Sequence, residues 1–201
     1  MSWQDKLRQV EPYVAGEQPK ISNMIKLNTN ENPYGPSDRV KEVLKEIDIE
    51  KLKLYPNSDG EELRHELADY HGLKDDQVFL GNGSDEVLAL TFLTFFNGKD
   101  PVLFPNISYS FYPVYCDLYQ MSYKEVLLDQ DFKINVEDFK QPNSGIIFPN
   151  PNAPTGLLVS LDFIEEVLKS NPDSIVVVDE AYIDFGGQTC VALIDKYDNL
   201  V

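Results

Sequence analysis

Asp179 is the residue whose chemistry most needs an explanation. It follows residues 175–178, four apolar and mostly β-branched residues that predict a strand buried on both faces. Open α/β sheets bind ligands at the carboxyl ends of such strands. A buried carboxylate there needs a cation, because removing one partner of a buried ion pair costs roughly 3–5 kcal/mol. The partner is either a lysine or arginine of the chain or a bound group with a protonated ring nitrogen, unless the carboxylate is exposed.

A glycine turn at residues 81–85 is the second candidate site. It lies between a short strand predicted at residues 77–80 and an apolar helix predicted over residues 86–96. Backbone N–H groups and the helix dipole at such a turn suit a phosphate, and Ser84 adds a hydroxyl donor. An ordinary capped helix start is the alternative. The turn is not a P-loop, because no Gly-Lys-Ser/Thr follows it.

Tyr109 and Asn152 also follow predicted strands. Tyr109 could stack on a planar ligand or simply pack against its neighbours. Asn152 lies in residues 149–156, where three prolines restrict the backbone, so this loop is either a rigid binding loop or a sharp exit turn. If the strands are parallel, the glycine turn, Tyr109, Asn152 and Asp179 converge on one edge of the sheet.

The elements that would position these residues alternate between strand and helix. Further strands are predicted at residues 101–104, 122–128 and 145–148, and another apolar run begins at residue 200. Helices are predicted after the caps Ser37 and Ser160, and Ser58 and Glu61 have capping-box spacing. The pattern predicts an α/β fold with a largely parallel sheet and helices on both faces.

Composition excludes several classes of function. Among 201 residues, 17 are basic and 34 acidic, giving a net charge of −17 that argues against a nucleic-acid partner. No apolar run approaches the ~18 residues of a membrane span. The histidines (His65, His71) and cysteines (Cys116, Cys190) lack metal-ligand spacing, so no metal site is expected. Without a signal-peptide core at the N-terminus, we expect a cytoplasmic protein with free thiols.

In combination, these residues resemble the fold-type I aminotransferases, which use pyridoxal 5'-phosphate (PLP), and among them the histidinol-phosphate aminotransferases. The resemblance covers nearly the whole chain and implies the three-layer α/β/α sandwich of that fold. The shared segments, in family order, are residues 12–13, 28–33, 55–56, 83–86, 108–109, 149–156 and 179–185.

The resemblance implies a role for each cofactor-binding residue. Asp179 would pair with the ring nitrogen of PLP, and a nearby negative charge favours its protonated form. Tyr182 and Asn152 would hydrogen-bond the phenolic oxygen of the ring, and Tyr109 would stack on its face. The residues implied at the phosphate are Gly83, Ser84 and Asp85.

The resemblance also implies contacts beyond the cofactor. Tyr55 would reach the phosphate bound by a partner subunit, which requires a homodimer. The substrate would lie near Tyr13 and near an arm that carries Asn28, Glu31 and Asn32. The implied substrates are histidinol phosphate and the 2-oxoglutarate/glutamate pair.

Two departures from the family pattern stand out. Ala153 replaces the second asparagine of the family's Asn-Asn-Pro-Thr-Gly loop. No lysine has the context of the lysine that binds the cofactor covalently, so we expect it to lie beyond Val201, with no catalytic residue inside this chain. The expected division is an N-terminal arm and part of the small domain at residues 1–36 and a truncated large PLP-binding domain at residues 37–201. We expect these residues to lack the C-terminal small domain.

These implications predict a function for the complete protein. It would exchange an amino group between L-histidinol phosphate and 2-oxoglutarate in histidine biosynthesis, and the 201 residues alone would be inactive. The alternatives are a threonine-phosphate decarboxylase or an aromatic aminotransferase of the same fold, or a non-catalytic PLP-binding relative that lacks the lysine.

Overall fold

The computed structural model describes residues 2–8, 10, 16, 17 and 19–201. The chain forms two compact units. The sheet unit contains Met1–Pro12 and Phe79–Val201, and the helical unit contains Tyr13–Val78, in each case as far as the residues are described.

The strands of the described chain are β1 (Val102–Pro105), β2 (Tyr123–Val126), β3 (Gly145–Pro149) and β4 (Val176–Asp179). The α-helices are α1 (Asp38–Glu46), α2 (Glu61–His71), α3 (Ser84–Phe95), α4 (Phe111–Tyr119) and α5 (Leu161–Ser170). Short 3-10 helices are formed by Gln4–Lys6, Ile49–Lys53, Asp75–Gln77, Val136–Phe139, Ile183–Phe185 and Cys190–Leu193.

The four strands form one parallel sheet in the order β2-β1-β3-β4. The connection from β1 leads to β2 on one side, and the connection from β3 leads to β4 on the other. This reversal opens a crevice outside the carboxyl ends of β1 and β3, where ligands bind in such sheets. Leu200 forms a parallel bridge to Val176 at the outer side of β4, as its apolar run predicted.

Two buried clusters cover opposite faces of the sheet, because alternate strand residues point to opposite faces. Helices α3 and α4 cover one face and α5 covers the other. The first cluster includes Leu88, Phe92, Phe104, Tyr112, Ile147 and Val177. The second includes Leu103, Ile146, Phe148, Ile164, Val167 and Val178. The predicted three-layer α/β/α architecture is confirmed.

Two of the predicted helix caps are confirmed. The Ser37 hydroxyl accepts a hydrogen bond from the Val40 N–H (3.4 Å) at the start of α1. The Ser160 hydroxyl accepts one from the Phe163 N–H (3.2 Å) at the start of α5. Each bond satisfies a backbone donor that has no partner within its helix.

Three local predictions were wrong. Ser58 does not cap α2, because the chain enters this helix through Gly60 in a left-handed conformation (φ 59°), and Asp59 accepts the Glu61 N–H instead. Residues 78–80 are not a strand, because no strand of the described chain pairs with them. Helix α3 begins at Ser84 rather than two residues later.

Almost none of the described residues of the helical unit is buried. Ala68 is its one buried residue among those described. The apolar side chains of α1 lie on one face, as predicted, but they are about half exposed. The exposed fractions are 46% for Val40, 56% for Val43, 58% for Leu44 and 45% for Ile47, just after the helix.

No helix in the described part of the chain is both long and apolar enough to cross a membrane. No cluster of potential metal ligands is found among the described residues. Cys116 and Cys190 are free and buried, which agrees with the prediction of two free thiols.

Candidate functional site

A pocket lies at the carboxyl edge of the sheet, where the strand order reverses. It brings together four residues that the sequence singled out: Ser84, Tyr109, Asp179 and Tyr182. Pro149, Ala153 and Ala181 complete its lining. The residues come from the start of α3 and from segments that end or follow β1, β3 and β4, so the parallel sheet positions them as predicted.

Asp179 is half-buried, and both of its carboxylate oxygens accept hydrogen bonds. One accepts from the Tyr112 hydroxyl (2.8 Å) and the other from the Ala181 N–H (3.1 Å). No lysine, arginine or histidine among the described residues forms an ion pair with it. The cation that the sequence led us to seek is therefore not a side chain of the described residues.

Tyr112 is a site residue that the sequence analysis placed only in the core. The residue is fully buried, and its hydroxyl donates to Asp179 from the helix that follows β1. Burial, and then the Asp179 charge, raise the pKa of Tyr112 well above its ordinary value, so the hydroxyl keeps its proton. The sequence feature that could have indicated a site role for Tyr112 is its position three residues after Tyr109, because that spacing places both residues near the same end of α4.

The glycine turn leaves the start of α3 without a side-chain cap. Gly83 directly precedes α3 and has a φ of 82°, which side-chain-bearing residues rarely adopt. It has no side chain to cap the helix, and the first N–H groups of α3, beginning with Ser84, have no partner within the helix. These donors and the positive end of the helix dipole lie beside the pocket that Ser84 lines.

Asp85 is turned toward two tyrosines. Its carboxylate accepts hydrogen bonds from the hydroxyls of Tyr109 (2.7 Å) and Tyr115 (3.3 Å). The Tyr115 hydroxyl also lies 3.0 Å from the Asp85 carbonyl oxygen. Burial, followed by Asp85, raises the pKa of Tyr115. Asp85 thus fixes Tyr109 at the pocket by a bond to its hydroxyl.

Asn152 is buried beside the pocket but does not line it. Its Nδ2 donates to the Ile107 carbonyl (3.0 Å) and to the Thr155 hydroxyl (2.9 Å), whereas its Oδ1 is buried without a hydrogen-bond partner. Both amide hydrogens are therefore in use. Donation to a bound ligand would require one of these bonds to break.

Tyr182 lies in a segment whose ends are tied together by Glu180. The Glu180 carboxylate accepts hydrogen bonds from the Thr189 hydroxyl (2.6 Å) and the Cys190 N–H (2.7 Å). Burial and Glu180 raise the pKa of the Cys190 thiol. The sequence analysis gave Glu180 no role, because both of its partners lie about ten residues away in an irregular segment.

The remaining predicted residues belong to the helical unit. Asn28 donates to the Glu17 carbonyl (2.8 Å), Glu31 forms an ion pair with Lys26, and Asn32 accepts from the Tyr34 N–H. Tyr55 is fully exposed. The last predicted substrate contact, residue Tyr13, lies outside the described residues.

Comparison with known proteins identifies the family. The model of the family "Aminotransferase class I and II" matches residues 22–201. A histidinol-phosphate aminotransferase of Lactococcus lactis subsp. cremoris is 58% identical over the whole chain, which covers 56% of that protein. One of Pseudomonas putida is 55% identical over 99% of the chain and 57% of its own length. The chain thus spans a little over half the length of these relatives.

Solved structures have the same fold. The histidinol-phosphate aminotransferase of Clostridium acetobutylicum superposes with a TM-score of 0.72 and 29% identity over 80% of the chain and 50% of its own. The histidinol-phosphate aminotransferase of Sinorhizobium meliloti in complex with pyridoxal-5'-phosphate superposes with a TM-score of 0.76 over 86% of this chain and 49% of its own chain. Its sequence identity is 17%, so this likeness supports the fold alone. With the family match, these findings show that the chain belongs to the class I and II aminotransferases.

Proposed function

We propose that this chain is the PLP-binding part of a histidinol-phosphate aminotransferase. The observation that carries the proposal is Asp179, a carboxylate at the pocket without a cationic partner among the described residues. A protonated ring nitrogen would supply that partner. The similarity to histidinol-phosphate aminotransferases at 55–58% identity supports the substrate.

The residues of the pocket offer the chemistry that PLP requires. The N–H groups at the start of α3 and the Ser84 hydroxyl offer donors for the phosphate. Tyr109 lines the pocket and offers an aromatic ring for a planar ligand. Asp179 completes the set by offering negative charge, so the three residues match the three chemically distinct parts of the cofactor.

When bound, PLP supplies an electron-withdrawing ring that stabilises negative charge at the substrate Cα. Asp179 would hold a proton at the ring nitrogen and keep that ring positive. Tyr182, which lines the pocket, would donate to the phenolic oxygen. Asn152 could join it only by giving up its bond to Ile107 or Thr155, so we assign it the secondary role.

The pocket-lining residues include no lysine. We propose that the lysine that binds the cofactor covalently and moves the proton at the substrate Cα lies in sequence after Val201. Residues 1–36 would be an arm and part of a small domain, and residues 37–201 most of the large domain.

Homodimer formation belongs to the same proposal. Tyr55 and the apolar side chains of α1 are exposed, and exposed apolar patches mark interaction sites. Tyr55 would contact the phosphate bound by the partner subunit. The substrate contacts would come from Tyr13, Asn28, Glu31 and Asn32, and a cytoplasmic location would suit the buried free thiols.

The test uses the protein in the full length that its gene encodes. We expect it to transaminate histidinol phosphate with 2-oxoglutarate, and Asp179→Asn to lower kcat by about 100-fold or more. Asp173→Asn, an exposed carboxylate near the other end of the sheet, is the matched control and should leave the rate unchanged. Decarboxylation of threonine phosphate, or transamination of aromatic amino acids alone, would refute the substrate assignment.

A further inference from the structure

The Asp179 carboxylate is held in one orientation by two donors. Tyr112 donates to one oxygen at 2.8 Å, and the Ala181 N–H donates to the other at 3.1 Å. The Ala181 bond is local, two residues along the chain. The Tyr112 bond comes from helix α4, so among the described residues it is the bond that ties the carboxylate to the core of the sheet unit.

The Tyr112 hydroxyl is itself fixed by packing. The ring is fully buried and lies 5.8 Å from the Phe104 ring and 6.2 Å from the Phe92 ring, centroid to centroid. Its centroid is 5.6 Å from that of Tyr109, in an edge-on arrangement. Moving this hydroxyl would require repacking of the core between the sheet and helices α3 and α4.

We infer that Tyr112 is a positioning residue that aims the Asp179 carboxylate at the ring nitrogen of the bound cofactor, an inference that rests on the proposed function. The hydroxyl occupies one side of the carboxylate and leaves a defined direction for a further donor. Without it, the carboxylate would be tied only to the adjacent backbone and could turn away from the ring.

A purely structural role for Tyr112 makes a different prediction. A core residue would affect every ligand of the pocket to a similar extent. A residue that acts through Asp179 affects only ligands that carry the ring nitrogen. The two roles are therefore separated by comparing ligands with and without that nitrogen, whatever the effect on stability.

The experiment measures dissociation constants by calorimetry on the full-length gene product, stripped of cofactor. The probes are pyridoxamine 5'-phosphate and its analogue with C–H in place of the ring nitrogen. We expect Tyr112→Phe to weaken pyridoxamine phosphate binding about tenfold, the loss expected for one bond to a charged group. Binding of the analogue should stay within about twofold.

Tyr119→Phe is the matched control, because it removes the same atom from the same helix without touching Asp179. It should leave both constants unchanged, and thermal midpoints establish that each variant is folded. In an Asp179→Asn background, Tyr112→Phe should cause no further loss of pyridoxamine phosphate binding.

Equal weakening of both ligands, or no weakening of either, would overturn the role of Tyr112. If the wild type prefers the ring nitrogen and Tyr112→Phe retains that preference in full, only this inference fails. If the wild type binds neither ligand, the proposed function fails with it.

Discussion

The two units of this chain differ in how far their apolar side chains are exposed. In the sheet unit, Leu103, Ile146 and Phe148 are fully buried between helices and sheet. In the helical unit, Leu44 is 58% and Leu52 73% exposed. Both units contain amphipathic sequence, but among the described residues the large buried clusters belong to the sheet unit.

The contrast teaches that a correct helix prediction does not predict what covers the helix. Helix α1 forms where its cap and periodicity predict, but the side chains of its apolar face remain about half exposed. The sheet unit can be understood from its own contacts. The helical unit suggests a partner surface, which the homodimer proposal would supply.

The largest expected effect comes from truncating matched leucines. Leu103→Ala should lower the free energy of unfolding by about 2–5 kcal/mol, because it leaves a cavity in the core. Leu52→Ala should change it by less than about 0.5 kcal/mol. Urea denaturation of each variant measures both values. A comparable loss at Leu52 would show that its side chain is covered in the protein.

A smaller effect is expected from matched asparagines. The buried Asn171 donates to the Val167 carbonyl and accepts from Asn143 (both 2.8 Å). Asn171→Ala should lower the free energy of unfolding by about 1–3 kcal/mol, because it leaves buried partners unsatisfied. Asn28→Ala, at an exposed site, should change it by less than about 0.5 kcal/mol. Equal losses in urea denaturation would contradict the distinction between the units.

The smallest effect should come from matched glutamates, and it should depend on pH. Hydrogen bonds from Lys169 and then Lys196 lower the pKa of Glu165 from its ordinary 4.5 to about 2. Lys26 lowers the pKa of Glu31 in the same direction. Because a depressed pKa stabilises the folded state only while the carboxyl is ionised, each contribution is present above about pH 4.5 and lost as the pH falls.

Glu165→Gln should therefore reduce the urea midpoint near pH 7 and leave it almost unchanged near pH 2. Glu31→Gln should show the same trend more weakly, since one lysine rather than two is involved. A loss that is the same at both pH values would mean that packing, and not ion pairing, is responsible.

Most of the sheet unit could be predicted from sequence, because short apolar runs and caps are local signals. The predicted strands at residues 101–104, 145–148 and 175–178 each match an observed strand within about a residue at either end. The prediction failed at residues 78–80, where the apolar residues are present but a pairing strand is not. Strand formation depends on that partner, which local sequence does not specify.

The candidate site was predictable in outline and not in its hydrogen bonds. Parallel topology brought Ser84, Tyr109 and Asp179 to one pocket, as expected. The bond between Tyr112 and Asp179 could not be predicted, because it joins residues 67 positions apart and depends on how α4 packs on the sheet. For the same reason, the sequence could not predict that the Asn152 amide donates to Ile107 and Thr155.

The tyrosine bonds of α4 have a consequence for folding. One joins Tyr115 to Asp85, 30 residues away, and the other joins Tyr112 to Asp179, 67 residues away. Contacts of such separation form late, since the loops between them must close first. We therefore expect the ability to capture the cofactor to arise only after β4 has joined the sheet, so that a partly folded or still emerging chain has no binding site.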